Sequence, residues 1–489
     1  MRFIPNTDKE RQEMLQKIGV KNFDALLSPI PEHLRLKAPL NLPSSLSELE
    51  IKKLMQGIAN KNASTDKYIS FLGAGSYDHY IPAIVDYVCQ RPEFYTAYTP
   101  YQAELSQGTL QVIYEYQSMI CELTGMEVSN ASMYDGATAL AEACYMAKSI
   151  TGKKEILISD SVNPNYIKCC ETYLGKVTVI PTKNGTTDIE ALKNIFAQHS
   201  GRCGPVFCGI PSWRESPDPH MQDIACMVIQ EPNFFGILEP VQEIEAIVHK
   251  NQAIYIGIPL PISLGVLTPP GNWGADIVVA EGQGLGIPQS FGGPGLGILA
   301  SKKEWLRKMP GRIIGKTIDT EARQGFVMTA QTREQHIKRE KATSNICTNE
   351  GLCAIAACVY LTIMGPQGLK EVSELCYHKA HYLADRISQI PGFRLVYDAP
   401  FFNEFLVHMP VPAEKIVQDL IKEGIFAGVP MSKVYAGQGT PAKTGSRRKR
   451  DRTYPDCHSE RSEESLLLIA VTEKRTKEEM DYFVEKLKK

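Results

Sequence analysis

Short apolar runs recur from about residue 132 onward, at 156–158, 177–180, 226–229, 253–258 and 277–280, with longer stretches of helical period between them. Runs of this length predict strands buried on both faces, and their alternation with helices predicts an α/β domain built on a mostly parallel sheet. The stretch DIVVAEGQGLGIPQSFGGPGLGILA, residues 276–300, predicts two strands joined by a glycine-rich connection whose backbone can approach a ligand closely. Helical periodicity returns over 350–364 and 370–390, followed by strand candidates at 393–397 and 404–408. The pattern therefore predicts a large sheet domain over residues 66–335 and a smaller α+β domain over 336–489. Ahead of them, Thr7 with Glu10 and Ser45 with Glu48 have the spacing of a capping box, which predicts two helix starts in an N-terminal arm, residues 1–65. A proline-rich stretch, 29–43, joins them, and such an arm is not expected to fold alone.

Two segments, 201–222 and 437–465, carry neither period and are rich in Gly, Pro, Ser and charge, so both are read as insertions. CHSERSEES in the second resembles the translated product of a dispersed bacterial palindromic repeat, and the basic run 447–450 is read as a solvated loop, not a nucleic-acid contact. Across 489 residues, 43% hydrophobic and 22% charged content with a net charge of -2 exert no global pull toward nucleic acid or an anionic membrane. The start, MRFIPNTDKERQEMLQ, has no apolar core with a cleavage site, and no uninterrupted apolar run is expected to span a membrane. The expected location is the cytoplasm. Thirteen cysteines, an odd number, suit a reducing compartment. Cys203 with Cys208, or Cys169 with Cys170, would need a second pair or nearby histidines to make a metal site, so no metal is expected.

Several ordered stretches carry a resemblance over nearly the whole chain: IPNT, KIGV and RLKAPLNLP near the start, then FLGAGSYDHYIP, YTPYQAELSQGTLQ, DGATALAEA, QEPNFFG, GADIVVAEGQ, QSFGGPGLG, PGRIIG and REKATSNICTNEGL. In this order they resemble the first subunit, or N-terminal half, of the P-proteins of the glycine cleavage system. The resemblance implies the fold of fold-type-I pyridoxal-phosphate transferases and assembly with a homologous second P-protein subunit as two heterodimers. It also implies a reaction in which glycine loses carbon dioxide and its aminomethyl group passes to the lipoyl arm of the H-protein.

Covalent cofactor chemistry needs a lysine for the Schiff base and an acid beside the pyridine nitrogen. In active members of this fold the lysine follows a strand in the region that AEGQGLGIP occupies here, yet no lysine lies between Lys250 and Lys302, and Gln283 stands near the missing position. Lys302 and Lys303 are the alternatives, but they follow the second strand of the pair. Where the fold places the pyridine's aspartate, IYIGIPLP carries Ile258 and Pro259. The resemblance thus implies that pyridoxal 5'-phosphate is held covalently by the partner subunit and not by this chain.

By the same resemblance this chain completes the partner's pocket. Residues 95–107 mix rings, hydroxyls and a carboxylate, with Tyr95, Tyr98, Glu104 and Ser106 as candidates, although a helix start with core tyrosines has the same composition. Residues 342–350 gather Thr343, Ser344, Asn345 and Thr348 before a helix, suited to capping it or to binding an anion. The turn carrying Gly136, Ala137 and Thr138 resembles the fold's phosphate cradle, vestigial in a chain without the lysine. Asn163 stands where many relatives carry histidine, and the GxGxxG-like string around 282–286 opens no helix, so nucleotide binding is not inferred. A scaffold or regulatory pseudoenzyme that lends the chemistry no group is the alternative.

Overall fold

The structure is a computed structural model that describes residues 6–38, 40–199, 223–436 and 465–488. Both expected insertions, apart from Ser465, lie outside the described residues, as do Cys203, Cys208 and the basic run 447–450. The chain forms two compact units, Met1–Ala63 and Ser64–Lys489.

In the first unit the expected box at Thr7 and Glu10 opens the helix Asp8–Ile18, with Thr7 N–H donating to Glu10 Oε2 at 2.6 Å. The second box is displaced by two residues from the expected pair. Ser47 and Glu50, not Ser45 and Glu48, cap Glu48–Ala59. PSSLSELE offers the spacing twice, and the later register puts both Glu48 and Glu50 in the first turn, where the helix dipole favours acids. No described residue of this unit is buried, and Leu34, Leu36, Leu40, Leu42 and Leu49 are each 66% to 78% exposed.

The second unit is organised by a seven-stranded sheet in the order Val128–Ser129, Gly297–Ser301, Ile277–Glu281, Ile254–Pro259, Ile224–Glu231, Glu155–Ser159, Thr178–Ile180. The last five run parallel, while Gly297–Ser301 is antiparallel to both its neighbours. Alternate side chains enter separate cores on the two faces: Met227, Tyr255 and Val278 on one, Val228, Ile256 and Val279 on the other. That is why these strands read as continuous apolar runs.

A four-stranded antiparallel sheet, ordered Arg394–Leu395, Glu404–His408, Leu466–Ala470, Val429–Pro430, builds the smaller core. The strand expected over 393–397 is shorter than its apolar pattern suggests. The two expected helices run together as Gly351–Ser388, kinked where Gly365 adopts φ 59° ahead of Pro366. The helix packs into the main core through Cys376, past the kink, and into the smaller one from Ala380 onward. Against the expectation that no stretch reaches such a length, this helix is long and apolar enough by length and composition to cross a membrane; 44% of its most apolar 18-residue stretch is buried inside the protein.

Candidate functional site

Ligands of open parallel sheets bind beyond the carboxyl ends of the strands. Here Gln230, Pro259 and Glu281 form that edge and border a cleft of about 40 Å³, with no lysine or arginine among its lining residues. At roughly 10–15 Å³ for each water, it has room for a few waters. Gln283, 8% exposed, is committed at both ends of its amide: Oε1 accepts from Tyr77 N–H at 3.0 Å and Nε2 donates to Ile287 O at 2.7 Å. Ile258 and Pro259 form an apolar wall of the cleft. Asn163 also lines it, tied to Ala74 O at 3.0 Å.

The phosphate-cradle turn is filled by the chain's own carboxylates. Asp135 caps the helix Gly136–Thr151 by accepting from Thr138 N–H at 2.8 Å. Gly136 N–H donates to Glu281 Oε2 at 3.0 Å, while Glu281 Oε1 takes Gln283 N–H at 3.0 Å and Leu296 N–H at 2.8 Å. An anion at this helix N-terminus is what the dipole favours, and Glu281 supplies it. Burial pushes the Glu281 carboxyl up, against these backbone donors, which lower it. A Cβ at Gly136 would lie 2.2 Å from Tyr166 Oη, so this packing also requires glycine. Ala137 is half-buried in the first turn of this helix.

Lys302, the alternative imine lysine, ion-pairs with Asp276 at the amino-terminal end of Ile277–Glu281, the opposite end of the sheet from Gln283. The residues present do not fit pyridoxal phosphate: the cleft is too small, holds no amine, and has its anion position taken by a carboxylate.

The other candidate residues are not among those that line the cleft. Tyr95 is 67% and Tyr98 85% exposed, so neither is a core tyrosine, and Glu104 and Asn345 are exposed as well. Ser106 and Thr343 are half-buried, and Ser106 starts the helix Gln107–Thr124 without a side-chain cap. Ser344 accepts from Ile346 N–H at 3.1 Å and neighbours Glu142, whose carboxyl burial pushes up and Ser344 lowers. Of the two uses open to 342–350, capping the following helix is not the one seen. Gly351–Ser388 has no side-chain cap from that segment; instead Ser132 Oγ accepts from Glu350 N–H at 3.0 Å.

The two segments meet through a residue that sequence reasoning passed over. Arg312, 4% exposed, donates to Thr99 Oγ1 at 3.2 Å and to Tyr101 Oη at 3.3 Å from the first segment, and to Thr348 Oγ1 at 3.3 Å from the second. Its signal was present in PGRIIG, where a lone cation sits in an apolar run.

Further buried polar groups surround the cleft. Burial lifts Glu404 to about 7, against the N–H of Ala74 at 2.7 Å and the hydroxyl of Tyr77 at 2.8 Å, and lifts Glu231 to about 8. His79, Cys376 and Glu473 bring their ligand atoms within 4.8 Å of one another. Both Glu473 oxygens are already engaged, by His79 Nδ1 at 2.7 Å and Tyr80 N–H at 2.6 Å, which joins residues 79–80 to the C-terminal segment.

Over residues 1–438 the sequence matches the family model of the glycine cleavage system P-protein. Probable glycine dehydrogenase (decarboxylating) subunit 1 of Chloroherpeton thalassium is 46% identical over 100% of this chain and 99% of its own length. The protein of the same description from Anoxybacillus flavithermus is 45% identical over 99% and 98%. Among solved structures, an inhibitor-bound glycine decarboxylase (P-protein) of the glycine cleavage system superposes with a TM-score of 0.82 at 36% identity, covering 100% of this chain and 99% of that one. A glutamate decarboxylase of Lactobacillus brevis, at 12% identity and a TM-score of 0.63 over 93% and 95%, shares the fold alone. The expected fold-type-I architecture is thus borne out, and the chain belongs to the glycine cleavage system P-protein family.

Proposed function

We propose that this chain is the subunit of a glycine decarboxylase that does not hold pyridoxal phosphate, and that it completes the active site of a homologous, lysine-bearing partner. Together they would release carbon dioxide from glycine and pass the aminomethyl group to the lipoyl arm of the H-protein, in a cytoplasmic assembly of two heterodimers. The cofactor supplies the electron sink for decarboxylation in the partner. This chain contributes polar groups at the shared boundary: Tyr95, Tyr98, Glu104, Ser106, Thr343, Ser344 and Asn345.

The observation that carries this reading is the self-filled cradle, in which Glu281 takes the helix N-terminus where a phosphate would sit. A chain that kept its own cofactor would not spend those donors on a buried carboxylate. Exposure of Tyr95 and Tyr98 favours shared chemistry over a bare scaffold, because rings left in water by one chain are available to another. Tyr98→Phe and Asn345→Ala should lower turnover of the assembled complex while leaving assembly intact by gel filtration. Unchanged kinetic constants in both variants would favour the scaffold.

A further inference from the structure

Three arginines are buried among the described residues, and they are satisfied differently. Arg475 faces Asp78 at 3.4 Å and Glu479 at 3.6 Å. Arg333 spends its fork on the carbonyls of Met309 and Gly311. Arg312 meets neither a carboxylate nor a carbonyl among the described residues. Its hydrogen-bond partners are the hydroxyls of Thr99, Thr348 and Tyr101, at 3.2 to 3.3 Å, and its Nε is buried with no partner. Those distances lie at the long end of the hydrogen-bond range.

A buried charge without a counter-charge is costly, and three weak neutral bonds do not offset it. The cation is nevertheless held in place. Ala131 N–H donates to Arg312 O at 2.8 Å, Asn130 Nδ2 donates to Pro310 O at 3.0 Å, and Arg333 grips the carbonyls on either side of Pro310. Such fixing is what a preorganised binding group needs. The fork opens toward Tyr101, whose ring centroid lies 5.4 Å away and which is itself 60% exposed. Planar N–H pairs of this kind match the oxygens of carboxylates and phosphates.

We propose that Arg312 is an oxyanion-binding residue that this chain lends to the neighbouring site, with Thr99, Thr348 and Tyr101 orienting the same anion. The ligand is a carboxylate or a phosphate: that of the amino-acid substrate, or that of the cofactor held by the partner. The assignment rests on the shared-site reading above.

Its test is Arg312→Gln in the assembled complex of both subunits with lipoylated H-protein. KM for glycine, kcat and cofactor affinity by absorbance titration are read, and gel filtration checks assembly. A carboxylate ligand raises the glycine KM roughly 10- to 100-fold with cofactor affinity unchanged, and a phosphate ligand weakens the cofactor by a similar factor. Arg312→Lys, which keeps the charge, should recover part of either loss. An assembled Arg312→Gln complex with both constants unchanged overturns the proposal. Should that variant not assemble, sulfate decides the matter in the wild-type complex: it must compete with glycine or with cofactor at constant ionic strength, and an absence of competition is equally fatal. A partner fully active by itself would sink the shared-site reading separately. The oxyanion site would then be tested on this chain alone, where sulfate must raise the melting temperature above chloride at equal ionic strength, with Arg312→Lys losing most of that increment; no increment overturns it.

Discussion

Replacing Glu404 by glutamine tests the electrostatics of the closed cleft. Glu404 lines it, is 2% exposed, and has its carboxyl lifted from 4.5 to about 7 by burial, against the bonds from Ala74 N–H and Tyr77 Oη. A folded-state value above the unfolded one means that the folded chain keeps a proton the unfolded chain has lost. The associated stability is complete below 4.5 and disappears as pH rises through about 7. A shift of this size corresponds to roughly 3 kcal/mol, falling by about 1.4 kcal/mol per pH unit inside the window. In Glu404→Gln the amide oxygen still accepts from Ala74 and the amide nitrogen can donate to Tyr77 Oη, so the titration is removed and the contacts stay. Urea unfolding by fluorescence over a pH series should show the variant gaining on the wild type by roughly 2–3 kcal/mol between about pH 5 and pH 8. A difference curve that is flat across that window would refute the reasoning.

Three further outcomes are expected. Gly236 has φ +80°, and a Cβ there would fall 1.8 Å from Glu404 O; Gly236→Ala should cost roughly 3 kcal/mol or more in denaturant unfolding, and a loss under about 1 kcal/mol would mean the loop yields. Gln283→Lys should not create a cofactor site, because the cleft of about 40 Å³ and the Glu281-filled cradle remain; stoichiometric cofactor absorbance after gel filtration of this variant would contradict that. Deleting residues 1–63 removes a compact unit with no buried residue among those described, so the remainder should keep its cooperative melt but bind the partner more weakly. Unaltered subunit affinity would show that the arm's exposed leucines serve another purpose.

The sheet was legible because both faces of each parallel strand are buried, so 156–158, 226–229 and 277–280 announce themselves as apolar runs. The arm's second helix was found two residues early because PSSLSELE repeats its cap spacing. The lack of any lysine between Lys250 and Lys302 could be read directly. The self-filled cradle could not, because Glu281 reaches Gly136 across 145 positions and nothing local marks a carboxylate as the occupant of a helix N-terminus. Arg312 showed in PGRIIG as a lone cation, but its surroundings did not. Its significance is the lack of an acidic partner, which only folding reveals, whereas 95–107 and 342–350 stood out by composition without showing which of their hydroxyls face a cation.

Glycine-dependent carbon dioxide exchange, measured with lipoylated H-protein for this chain alone, for its lysine-bearing partner alone and for the two mixed, tests the central claim most directly. Activity only in the mixture, with cofactor absorbance following the partner, is the predicted result; exchange by this chain alone, or a partner fully active without it, would contradict a shared active site.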